Sequence, residues 1–106
     1  MANPWAGEVA LVMDGQRHVL KLTLGALAEL ESGLGEGSLV QMVQRFENGA
    51  CSSADVLALI VAGLRGGGWG GQARDLLCAD IEGGPMEAAR VAAQLLARTF
   101  IAPEHS

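Results

Sequence analysis

The sequence predicts an α+β fold, an N-terminal β-hairpin followed by a small bundle of four to five helices, and three observations predict it. Two apolar-rich runs meet across Asp14-Gly15, a dipeptide that tolerates the positive φ angles of a type I′ turn. Downstream, apolar residues recur at three- and four-residue intervals. Glycine clusters and capping residues separate those stretches.

The hairpin has a testable register. A two-residue loop sets Met13 opposite Gln16, Leu11 opposite His18, Val9 opposite Leu20 and Gly7 opposite Leu22, all on one largely apolar face. The other face pairs Val12 with Arg17, Ala10 with Val19, and Glu8 with Lys21, two opposite charges.

Thr23 then caps a first helix in which Leu24, Leu27, Leu30 and Leu34 recur at helical spacing until Gly33, Gly35 and Gly37 interrupt it. Ser38 caps a second, with Leu39, Met42, Val43 and Phe46 on one stripe and Asn48-Gly49 as its end. Ser52 and Asp55 form a capping box for a third helix, apolar all round from Val56 to Leu64 and therefore expected to be central. Residues 66–71 (GGGWGG) end it as a flexible loop. A short helix from about Gln72 to Cys78 follows. Pro85 suits the first turn of the last helix, whose polar stripe is Glu87, Arg90, Gln94 and Arg98 and whose inward residues are expected to be Met86, Ala89, Ala93, Leu96 and Phe100.

A chain of 106 residues is one domain, with an ordered core expected over about residues 7–101. Aromatics are scarce at 4%, so small aliphatic side chains must fill the core. With a net charge of −5 and seven basic residues scattered from Arg17 to Arg98, no nucleic-acid partner and no basic membrane-binding face are expected. The chain opens without the charged and apolar regions of a signal peptide, and its longest apolar stretch is about half of the ~20 residues a spanning helix needs, so a cytoplasmic, non-membrane location is expected. Cys51 and Cys78 read as two reduced thiols.

The residues point to no catalysis. The glycine-rich run follows a helix and lacks the Lys-Ser/Thr of a phosphate loop. Neither His18 nor His105 has a cysteine or histidine at zinc-site spacing, so no metal and no cofactor are implied. A thiol enzyme built on Cys51 and His18 is the remote alternative, with nothing in the sequence to activate either group. The acidic residues read as solvated surface. Trp69, a bulky ring among glycines, either folds back on the core or is offered to a partner.

The order Gly7-Glu8-Val9, then Asp14-Gly15, then residues 20–31 (LKLTLGALAELE) resembles the gene transfer agent family of small phage-derived proteins, which are similar to phage tail assembly chaperones. The likeness continues through Arg45-Phe46, residues 62–67 (AGLRGG) and Glu82-Gly83-Gly84 to a helix ending at Phe100. Trp5, Trp69, Cys51 and Cys78 stand outside that pattern. The resemblance implies a part in building a non-contractile tail, first as a chaperone that shields the helical tape-measure protein, alternatively as a minor structural component of the tail or tail tube. In the chaperone role the client contacts would be Leu39, Met42 and Phe46, together with Trp69, by helix-in-groove packing. The plainer reading of the same stripe is that it completes the core. A structural subunit would instead form a homo-oligomer, using the edge of the hairpin to join neighbouring sheets.

Overall fold

The computed structural model describes residues 8–33 and 39–100. The chain forms β1 (Val9–Met13), β2 (Gln16–Leu20), α1 (Leu24–Gly33), α2 (Leu39–Glu47), α3 (Ser53–Gly66), α4 (Ala73–Leu77) and α5 (Gly84–Phe100). The architecture is the expected α+β, a two-stranded antiparallel hairpin followed by five helices.

Asp14 and Gly15 both adopt positive φ, +52° and +79°, as a type I′ turn requires. The register is the expected one, from Met13↔Gln16 through Leu11↔His18 to Val9↔Leu20. Val9, Leu11, Met13 and Leu20 are buried in the core and His18 is half-buried. The described ladder runs as far as Val9↔Leu20, and beyond it the Lys21 N–H, which faces the outer edge of β2, donates to the Gly63 carbonyl at 2.9 Å. Gly7, and with it the expected pairing to Leu22, lies outside the described residues.

The expectation that a lone ribbon leaves its edges unpaired gives way here. The outer edge of β2 lies against the last turn of α3 so closely that a Cβ on Gly66 would stand 1.9 Å from the Lys21 carbonyl oxygen, and one on Gly67 2.0 Å from that of Val19. On the other side, Ile81 bridges Met13, with Glu82 N–H donating to the Val12 carbonyl and Asp14 N–H to the Asp80 carbonyl. The Asp14 carboxylate returns a bond by accepting the Asp80 N–H at 2.9 Å. At the far end of β1, the Arg98 guanidinium donates to the Glu8 carbonyl. The chain's own helices and connectors thus cover much of both edges.

Thr23 caps α1 as expected, its Oγ1 accepting the Ala26 N–H at 3.1 Å. That cap also sets the helix phase. Ala26 and Leu30 face the core with Leu27 beside them, while Leu24 points outward and is 84% exposed, contrary to its expected place on the inner stripe. Leu34 and Ser38 lie outside the described residues. Helix α2 closes at Gly49, whose φ is +71°, with Ala50 N–H donating to the Arg45 carbonyl.

Helix α3 is central: α1, α4, α5 and β2 all pack on it. Leu59, Ile60 and Leu64 are buried along its length. Residues 66–69 close it rather than hang from it. Gly68, at φ +103°, donates to the Arg65 carbonyl and Trp69 to that of Leu64, the paired bonds of a Schellman ending.

The inner face of α5 is Ala88, Val91, Ala92, Leu95 and Leu96. Of the residues expected there, Leu96 is buried, Ala89 half-buried, and Met86 and Ala93 exposed. The side chain of Phe100 is outside the described set. The shift has a packing cause, since α5 touches both α3 and β1 and the two neighbours rotate its buried face away from the point opposite the polar stripe.

Candidate functional site

Two features stand out once the core is built. The first is a buried charge at the start of α3. Ser52 Oγ accepts the Asp55 N–H at 3.1 Å and the Asp55 carboxylate accepts the Ser52 N–H at 3.0 Å, the reciprocal capping box that the sequence predicts. What the sequence does not reveal is that Asp55 is only 7% exposed and also accepts two bonds of 2.9 Å from the Arg45 guanidinium on α2. The fork matches both carboxylate oxygens, so the pair fixes orientation as well as charge. Those bonds hold the Asp55 carboxyl below the usual carboxylate range, against the opposing effect of burial, and raise Arg45. No buried side-chain nitrogen or oxygen among the described residues lacks a partner.

The second feature is an open apolar groove of about 620 Å³ between the first turns of α3, the α4–α5 connector and the first turns of α5. Val56, Ile60 and Leu76 form its floor, with Cys51, Ile81 and Ala89 among its walls. Asp80 is its charged lining residue. The groove exists because α4 is too short to cover α3, leaving Val56 and Leu57 half-buried. Nothing in the periodicity of α3 signals it, since an all-round apolar helix reads as wholly buried.

The residues expected to contact a client sit elsewhere. Met42 is 0% exposed and offers no surface to a partner in this fold. Leu39 and Phe46 are partly buried and pack against the core. Trp69 is half-buried, its indole folded over Gly71 and against the core, and it borders a hollow of about 330 Å³ shared with Thr23, Gly25, Ala26 and Arg65. The structure gathers Leu39, Met42 and Phe46 onto α2 and leaves Trp69 at the end of α3.

Cys51 and Cys78 are free thiols, half-buried and exposed. Cys51 precedes the first turn of α3, and His18 lies in the middle of β2. Among the described residues no three His, Cys, Asp or Glu side chains gather where a metal ion could be held. None of their helices is long and apolar enough to cross a membrane.

Fold and surface together define a small α+β domain, its hairpin fastened to a central helix and an apolar groove left open beside that helix. Residues 6–101 match the family described as phage tail tube protein, GTA-gp10, and the chain belongs to that family. It is accordingly a protein related to gene transfer agents and phage tails, as the order of its segments implied. No curated protein and no solved structure gives a significant match.

Proposed function

We propose that this chain is a non-catalytic structural component of the tail tube of a gene-transfer-agent-like particle, working against other tail proteins. The observation that carries this reading is the family match, which runs through nearly the whole chain under a tail-tube description. The surface supports it. The apolar stripe of α2, which a tape-measure chaperone would have offered to its client, is turned to the core through Met42. What the surface presents instead is an apolar groove in which Asp80 is the charged residue.

The chaperone reading keeps one observation in its favour, since the same groove could accept an apolar helix of the tape-measure protein. Mass spectrometry of purified particles separates the two. Stoichiometric copies of the chain in finished particles are expected for a tube component. Its absence from particles, together with co-purification with soluble tape-measure protein, would overturn the tube assignment in favour of the chaperone. His18→Ala is expected to leave particle production intact; loss of production with the fold retained would revive the thiol-enzyme alternative.

A further inference from the structure

An asparagine can react with the backbone that follows it. The next residue's nitrogen attacks the side-chain amide carbon, a C–N bond forms, and the amide nitrogen leaves as ammonia with the proton of that N–H. Water then opens the succinimide ring to aspartate or isoaspartate. The sequence holds two asparagines, and only one has the partner for this step. Asn3 precedes Pro4, whose nitrogen carries no proton to give up. Asn48 precedes Gly49 in the turn that ends α2. Both residues are exposed, and the Asn48 side-chain amide has no hydrogen-bond partner among the described residues. At Gly49, φ +71°, nothing lies within 4 Å of where a Cβ would stand, so no neighbour crowds the reacting pair. The Gly49 N–H donates to the Phe46 carbonyl at 3.2 Å, at a helix end, where opening costs least. The comparable turn at Asp14-Gly15 is braced instead, its Asp14 carboxylate accepting the Asp80 N–H and its Asp14 N–H donating to the Asp80 carbonyl.

We infer that Asn48 is a self-modification site, and that its conversion, which needs only water, loosens α2 from the body of the fold. The inference stands independently of the tail-tube reading. Three effects act in the same direction. A new negative charge appears at the C-terminal end of α2, where the helix dipole is already negative and Glu47 is exposed. That charge stands three residues beyond Arg45, near enough along the helix to compete for the guanidinium that holds Asp55. In the isoaspartate product the backbone also gains a methylene between residues 48 and 49. The Gly49 and Ala50 N–H groups then lose register with the Phe46 and Arg45 carbonyls that close the helix. What α2 covers is the stripe centred on Met42, 0% exposed, with Leu39, Val43 and Phe46 packed beside it. Loosening the helix turns that stripe toward solvent.

Incubation of the purified full chain in mildly alkaline buffer tests this, beside an Asn48→Gln variant and a sample unfolded in urea. The folded native chain is expected to gain the mass difference between an amide and an acid, confined to the peptide that contains residue 48. Part of the product should accept a methyl group from an isoaspartyl methyltransferase. Asn48→Gln, whose longer side chain closes a ring far more slowly, is expected to keep its mass. Amide exchange in α2 of the converted chain should be about tenfold faster than in the fresh chain, with β1, β2 and α5 unchanged. Asn48→Asp carries the charge without the added methylene, so its α2 exchange is expected to fall between the two. A folded chain that stays intact under conditions that convert the unfolded one would overturn the inference, as would conversion that leaves α2 exchange unchanged.

Discussion

Asp55 draws three hydrogen bonds onto one carboxylate, two from the Arg45 guanidinium and one from the Ser52 N–H, while its own N–H donates to Ser52 Oγ. Its removal leaves Arg45 without its partner and the start of α3 without its cap. Asp55→Ala is therefore expected to cost about 2–3 kcal/mol, below the range for a fully buried pair because Arg45 is 36% exposed. Urea unfolding measures it. The pH dependence has a definite sign. Because the carboxyl is depressed in the folded state, its contribution is complete above the unfolded carboxylate value of about 4 and is lost as pH falls through the lower folded value. The stability gap between the native chain and Asp55→Asn should accordingly narrow as pH falls below about 4. At the same scale, Gly66→Ala must push a methyl into the Lys21 carbonyl, and a loss of about 2–4 kcal/mol is expected, read from the thermal midpoint.

At the scale of elements, α2 is anchored by a stripe centred on Met42 and by the fork from Arg45. Met42→Ala is expected to cost about 2–4 kcal/mol, and amide exchange should speed first in α2. Element boundaries were readable from the sequence because turn and cap chemistry is local: Asp14-Gly15, Thr23, Ser52 with Asp55, and Asn48-Gly49 each act within a few residues. Helix faces were less readable. Leu24 and Met86 are apolar and at helical spacing, yet both are exposed, since the rotation of α1 follows from its cap and that of α5 from two neighbours at once. The Arg45–Asp55 pair was hidden for a related reason, its members lying ten residues apart on different helices.

For the whole molecule, the candidate site is the part that the sequence disclosed least. A groove is made by what fails to cover α3, and no periodicity records a missing neighbour. Trp69, by contrast, was conspicuous among glycines and does sit at a surface hollow, with part of its ring against the core.

The covered hairpin also bears on how such a chain can be made in quantity. Exposed ribbon edges template cross-β stacking, and the danger grows with concentration. Here the Val19 and Lys21 carbonyls are sealed by Gly66 and Gly67, and Val12 is engaged by Glu82, so a newly folded copy offers its neighbours little backbone to copy. Crowding before assembly then favours contacts between side-chain surfaces, which can be undone and corrected, over strand exchange, which cannot. A substitution that lifts β2 from α3, such as Gly67→Val, should make the purified chain bind thioflavin on standing.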